Sequence, residues 1–144
     1  QKAAGFGDPS AFFNLADIYL KEGVHQNINK SIELLKKSGD LGLHDAYNGL
    51  GFLFYEGKIV KQDTKKAIEY FKKAAEQGSI LSMHMLGQFY YNGIVFEKDY
   101  KKAYLYFDKT AQSGLNLSYF MLGLMYETGT GVTQDYKKQF TFIK

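Results

Sequence analysis

The groups from which this chain could build chemistry are three histidines, fifteen acidic side chains and eighteen basic ones. His25, His44 and His84 are far apart in sequence, and no His-Glu-x-x-His pattern places two imidazoles on one helix face to grip a metal. All three read as ordinary surface histidines. Gly51 to Lys58 resembles a phosphate-cradling loop only superficially. Five residues separate Gly51 from Gly57, Ile59 stands where a hydroxyl would be needed, and no strand precedes the segment. Gly129-Thr130-Gly131 lacks the third glycine and the βαβ setting of a dinucleotide site. The carboxylates are scattered, and no two pair as acid and base. The chain has no cysteine, which excludes disulfides, thiolate zinc sites and cysteine nucleophiles and leaves the redox compartment open. These residues predict no catalytic site, no metal and no cofactor.

The formal net charge is +3, and every basic residue is a lysine. Without the planar fork of arginine, phosphate and guanine recognition are poorly served, so nucleic acid is not an expected partner. The lysine pairs Lys65-Lys66, Lys101-Lys102 and Lys137-Lys138 read as regular solvated faces, with an acidic partner as the other reading. Hydrophobic residues make up 45% of the chain and charged ones 23%, an ordinary globular balance. The longest apolar run, Gly49 to Tyr55, is far short of the roughly 20 residues a bilayer span needs. No signal peptide is visible and the chain begins at Gln1, so the sequence is expected to be a window on a longer protein.

Aligning the chain on itself exposes its organisation. Asn27, Asp63, Asp99 and Asp135 stand 36 residues apart. Gly51, Gly87 and Gly123 keep the same interval, with Ala16 one residue short of it. Gly42, Gly78 and Gly114 form a third ladder, and Leu15, Leu50, Leu86 and Leu122 a fourth. Each period holds two helical stretches. The first carries the columns Ala11/Ala46/Ser82/Ser118, Phe12/Tyr47/Met83/Tyr119, Ile18/Leu53/Phe89/Met125 and Tyr19/Phe54/Tyr90/Tyr126 on one side. The second starts at the Asn/Asp ladder, whose side-chain oxygen suits an N-cap. Its buried face reads Ala67, Tyr70, Phe71, Ala74, Ala75, at i, i+3, i+4, i+7, i+8. Glycine costs a helix about 1 kcal/mol relative to alanine. A glycine repeated at one helical position therefore predicts close approach of the partner helix, with the aromatics as core packing.

In repeat order these columns read A-x-x-x-L-G-x-x-Y-x-x-G, a loop, then D-x-x-K-A-x-x-Y-F-x-K-A-A-x-x-G. Ala46 to Gly57 with Asp63 to Gly78, and Ser82 to Gly93 with Asp99 to Gly114, show the pattern best. It resembles the Sel-one-like repeat, a relative of the tetratricopeptide repeat, over nearly the whole chain. Gly129 and Gly131 match the family's loop glycines, whereas Ile59 and Val95 replace the second of them. The resemblance implies an all-α, right-handed α-α superhelix of about eight helices. It implies one repeat domain over 1–144, with 1–9 ending a preceding repeat, then repeats at 10–44, 45–80, 81–116 and a truncated one at 117–144.

It also implies a non-catalytic scaffold that binds proteins. Within the family, Tyr90 to Ile94 followed by Lys98 to Ala103 is most similar to lumenal adaptors of endoplasmic-reticulum ubiquitin-ligase complexes. That likeness implies a membrane ubiquitin ligase and misfolded clients as partners and the endoplasmic-reticulum lumen as location. Two sequons, Asn29-Lys30-Ser31 and Asn116-Leu117-Ser118, are candidate N-glycosylation sites. The alternative is a cytosolic or bacterial scaffold serving another enzyme or signalling protein, and a homo-oligomer stays open.

Variable columns are where one repeat protein differs from another. On the first helices they are Phe13/Asn48/His84/Phe120, Asp17/Phe52/Gln88/Leu124 and Leu20/Tyr55/Tyr91/Glu127. At i, i+4 and i+7 they predict one stripe opposite the core, on the concave face where stacked first helices receive a partner. Its expected contact residues are Phe13, Asp17, Phe52, Tyr55, His84, Gln88, Tyr91, Phe120 and Leu124. Such aromatics suit a protein interface. A helical-repeat RNA reader would instead carry polar base-reading residues.

Overall fold

Each aspartate of the 36-residue ladder does two jobs at the joint between helices. The Asp63 carboxylate accepts from the Lys66 backbone N–H at 3.0 Å, and Asp99 accepts from Lys102 at 3.0 Å. Asp135 accepts from Lys137 and Lys138 at 3.0 and 3.1 Å. Each thus satisfies a free donor at a helix start. In the other direction their own N–H groups reach back to the end of the preceding helix. Asp63 donates to the Phe54 carbonyl at 2.9 Å, Asp99 to Tyr90 at 3.0 Å and Asp135 to Tyr126 at 2.8 Å.

The computed structural model describes residues 25–133 together with Ser10, Phe13, Asn14, Ala16, Asp135, Lys137 and Lys138. Among them lie six helices and no strand: α1 (His25–Asp40), α2 (His44–Glu56), α3 (Thr64–Glu76), α4 (Ile80–Asn92), α5 (Tyr100–Gln112) and α6 (Asn116–Thr128). The expected N-cap at Asn27 is corrected. α1 begins at His25, so Asn27 already lies in its first turn, and α1 has 16 residues where the later helices have 13.

The chain divides into two compact units, Gln1–Ser79 and Ile80–Lys144. In the first, Ala16, Leu35, Tyr47, Leu50 and Tyr70 belong to one buried cluster. In the second, Ala103, Phe107, Met121, Leu122 and Met125 form the core. The glycine ladder explains how each helix pair closes. A Cβ at Gly51 would come within 2.6 Å of the Phe71 ring, and one at Gly87 within 2.8 Å of Phe107. Both rings are fully buried. Where the ladder carries Ala16, the opposing column holds the slimmer Leu35, and the pair stays buried in the same cluster. The tyrosine column adds polar ties. The Tyr47 hydroxyl donates to Asp40, and burial, reinforced by that bond, pushes its pKa up to about 12.

The paired lysines are exposed, as a solvated face requires, and the second of each pair has a further contact. The second lysine of each pair lies over the aromatic ring that ends the first helix: Lys66 is 4.9 Å from Phe54, Lys102 5.0 Å from Tyr90 and Lys138 5.1 Å from Tyr126. A cation in the first turn opposes the helix dipole. The face of the ring attracts it and offsets that cost.

The loop glycine that Ile59 and Val95 replace shows two different outcomes. Gly131 takes φ 74, and Val95, at the same place one repeat earlier, takes φ 66. Val95 is the one non-glycine residue with positive φ among those described, which keeps Ile59 out of that region. Loops three and four also share a closing bond, Ile94 N–H to Phe89 at 3.0 Å and Thr130 N–H to Met125 at 3.0 Å. A β-branched residue in this region carries strain of about 1–2 kcal/mol. Val95→Gly is therefore expected to stabilise the protein by about 1 kcal/mol in denaturant titrations, less the entropy glycine adds to the unfolded chain. Ile59→Gly, which relieves no such strain, is expected to destabilise it by about 0.5 kcal/mol. Equal effects of one sign at both positions would refute this account of the loops.

Candidate protein-interaction surface

The predicted stripe does not survive as one face. His84 is 4% exposed, against its expected place on the surface. Its Nδ1 lies 2.8 Å from the Ser118 hydroxyl of α6, and its ring centroid 5.2 Å from that of Phe107 on α5. The position therefore faces the next first helix rather than solvent. Phe13, at the same position two repeats earlier, agrees: it is partly buried against the cluster holding Tyr47 and Leu50. Phe120, its counterpart on α6, is 53% exposed.

In the third variable column Tyr91 also turns inward. Tyr91 packs edge-on to Tyr100 at 5.3 Å and lies 6.4 Å from Phe107. Tyr55 is half-buried, and its carbonyl accepts from Gln62 at 2.8 Å. Phe52 and Gln88 are half-buried, and the Phe52 ring meets Phe71 edge-on at 5.1 Å. Leu124 is half-buried too. Asp17 lies outside the described residues.

What α4 shows to solvent is a different line: Leu81, Met85, Gln88 and Asn92, at i, i+4, i+7 and i+11. The ends, Leu81 and Asn92, are exposed and the middle pair half-buried. α6 carries the same line as Leu117, Met121, Leu124 and Thr128, with Leu117 58% exposed and Met121 nearly covered. The His84–Ser118 bond ties the two helices together, so these lines belong to neighbouring helices of the second unit. No residue of either line is charged. In the first unit the α2 line reads Asp45, Gly49, Phe52, Glu56, with a carboxylate at each end. The variable columns through Phe13, Asp17 and Leu20 do not include this line, although Asp45/Leu81/Leu117 vary just as much. Variability was the available signal. It could not say which side of the variable column at 88 faced water.

A polar chain runs from the core of the second unit toward this line. Thr110 Oγ1 lies 2.9 Å from the Tyr106 carbonyl and also meets the Ser118 hydroxyl, which bridges to His84. His84 Nε2 lies 3.4 Å from the Gln88 amide nitrogen, and Asn92 Nδ2 donates to the Gln88 carbonyl at 3.0 Å and to Gln88 Oε1 at 3.3 Å. With the Thr110 hydroxyl donating to the Tyr106 carbonyl, proton counting assigns the remaining roles. Ser118 donates to Thr110 and His84 Nδ1–H to Ser118, which leaves Nε2 as the acceptor from Gln88. Burial lowers the pKa of His84.

The two sequon asparagines are exposed, Asn29 as the fifth residue of α1 and Asn116 as the first of α6. The hydroxyls that complete the sequons, Ser31 and Ser118, are buried, and Ser31 donates to the Ala16 carbonyl at 2.7 Å. Among the described residues no three His, Asp or Glu side chains come together as a metal site, and no helix is long and apolar enough to cross a membrane.

Stacked pairs of short helices, a repeated cap and a repeated glycine–aromatic closure define a helical-repeat solenoid. The Sel1 repeat model matches residues 9–43, 44–79, 80–115 and 116–138, and the chain belongs to the Sel1 repeat family. Solved structures agree. A protective antigen from uropathogenic Escherichia coli with this fold is 33% identical, with a TM-score of 0.86 over 98% of this chain and 30% of its own. A Sel1 repeat protein from Oxalobacter formigenes is 34% identical, with a TM-score of 0.84 over 98% of this chain and 58% of its own. The cysteine-rich protein B of Helicobacter pylori is 25% identical, with a TM-score of 0.61 over 83% of this chain and 85% of its own. The chain thus spans about a third and a little over half of the first two relatives.

Proposed function

We propose that the protein is a non-catalytic scaffold whose second unit receives an apolar segment of a partner protein along the paired lines of α4 and α6. The observation that carries this is the exposed leucine that heads each line, Leu81 at 37% and Leu117 at 58%, with Phe120 at 53% one turn beyond Leu117 on α6. Contiguous apolar surface rimmed by polar groups marks interaction sites. Asn92 and Thr128 provide such a rim, and the half-buried thioether of Met85 can adapt to different partner shapes. Leu105 is more exposed still, at 66%, but it stands alone on the second-helix face between Lys101 and Lys109 and suggests solvent.

The relatives named above are bacterial. They favour a bacterial scaffold that serves another protein over the lumenal adaptor of a ubiquitin ligase, for which the two exposed sequon asparagines are the remaining support. A photo-crosslinking residue at Leu117 is expected to capture a protein in the cells that express the chain, and one at Lys101 is not. Leu81→Glu with Leu117→Glu should weaken that capture by about tenfold or more while the helical circular dichroism is unchanged. Phe52 and Tyr91 make poorer test positions, since their rings pack against Phe71 and Phe107. Capture of equal strength by the double variant would move the interface elsewhere.

A further inference from the structure

His84 is unlike the other members of its column. Phe13, Asn48 and Phe120 carry no titratable group, whereas His84 places an imidazole, 4% exposed, where α4, α5 and α6 meet. The ring's partners within the second unit are all uncharged: Phe107 on α5, Ser118 on α6 with Thr110 of α5 behind it, and Gln88 on its own helix. In its neutral form every polar atom of the ring is satisfied. Nδ1–H donates to Ser118 and Nε2 accepts from Gln88.

We propose that His84 makes the packing of α6 onto α4 and α5 acid-sensitive, because a proton on Nε2 turns a satisfied neutral bridge into a buried cation with no counter-charge and loosens the second unit. The hydrogen-bond pattern gives the local reason. A protonated Nε2 must donate, so it confronts the Gln88 amide nitrogen donor to donor. To accept, the Gln88 amide must turn round, and Asn92 then loses its bond to Gln88 Oε1. Ser118 cannot help, since it already receives Nδ1–H and its own proton is committed to Thr110.

The sign follows from burial, which lowers the proton affinity of the folded imidazole with no contribution from a neighbouring charge. Stability is complete above the ordinary histidine range near 6.5 and is lost as pH falls through that range toward the lower folded value. Each tenfold reduction in proton affinity on folding makes unfolding up to tenfold more favourable in acid. The device stands whether or not the α4–α6 surface binds the proposed partner.

The test starts from a protein in which His25→Gln and His44→Gln leave His84 as the sole imidazole. Its carbon-bound ring proton is followed by nuclear magnetic resonance from pH 8 to pH 4. Melting is measured at pH 7.5 and pH 5.0 for this protein and for one that also carries His84→Asn, the residue at the same position on α2, whose amide can donate to Ser118. His84 is expected to titrate below the ordinary range, and the melting midpoint to fall in acid only in the protein that retains it. Amide exchange protection in α6 should drop over the same interval. Titration at or above the ordinary range, as when Phe107 or a turned Gln88 stabilises the imidazolium, overturns the proposal. An equal acid loss without His84 does so as well. If the asparagine variant does not fold, the ring titration and the exchange profile of the parent still decide the question.

Discussion

Phe107→Ala is expected to destabilise the second unit by about 3–5 kcal/mol, the usual cost of removing a fully buried aromatic ring. The size follows from what the ring fills. Phe107 is wholly buried, lies against the backbone of α4 at Gly87, and sits 5.2 Å from the His84 ring and 6.4 Å from Tyr91. Truncation leaves a void bounded by glycine backbone on one side, which has no side chain to relax into it. The measurement is a guanidinium or urea titration, with amide exchange in α4 to α6 to separate the second unit from the first. That separation matters because repeat proteins need not unfold in one step. A loss below about 1 kcal/mol would mean that Phe107 is not the closure of this helix pair.

Gly87→Leu attacks the same contact from the other side and is expected to cost about 1–3 kcal/mol through overpacking. Its Cβ alone would stand 2.8 Å from Phe107, closer than real Cβ contacts come. Helix propensity argues for the opposite result, since leucine is the better helix former by most of 1 kcal/mol. The clash therefore has to exceed that gain for the prediction to hold, which makes the sign of the change informative. The first unit suggests the remedy. It carries alanine and leucine, Ala16 and Leu35, where the second carries Gly87 and Phe107, and both stay buried in one cluster. Gly87→Ala combined with Phe107→Leu should therefore cost less than the sum of its parts, a coupling that a double-mutant cycle reads directly. Additive effects would show that the two columns do not meet as described.

Several parts of this molecule were legible from residue order because they are local. An aspartate three residues ahead of the N–H it caps needs no distant neighbour, so Asp63 and Asp99 begin their helices as expected. Buried columns spaced along one helix face were equally readable, and Leu50, Leu86 and Leu122 are all buried. The glycine ladder implied close approach of the partner helix, and what lies against Gly51 and Gly87 is that helix's ring, Phe71 or Phe107. Asn27 shows where even local reading stops, because the same column lies inside α1 once that helix starts two residues earlier.

What the order of residues determined, then, is the repeat, its caps and which side chains share a helix face. What only the tertiary structure decided is what each face meets. His84 and Leu81 sit three residues apart on α4, and the column pattern puts His84 on the outer stripe and gives Leu81 no place. One is covered by Ser118 and Phe107, 34 and 23 residues away, and the other is left to solvent. Lys102 depended on a partner outside its own helix in the same way, the Tyr90 ring. Periodicity describes a helix about its own axis. Where its neighbours cross that axis is set by the packing of the other helices, so the boundary between core and surface appears only when they are assembled.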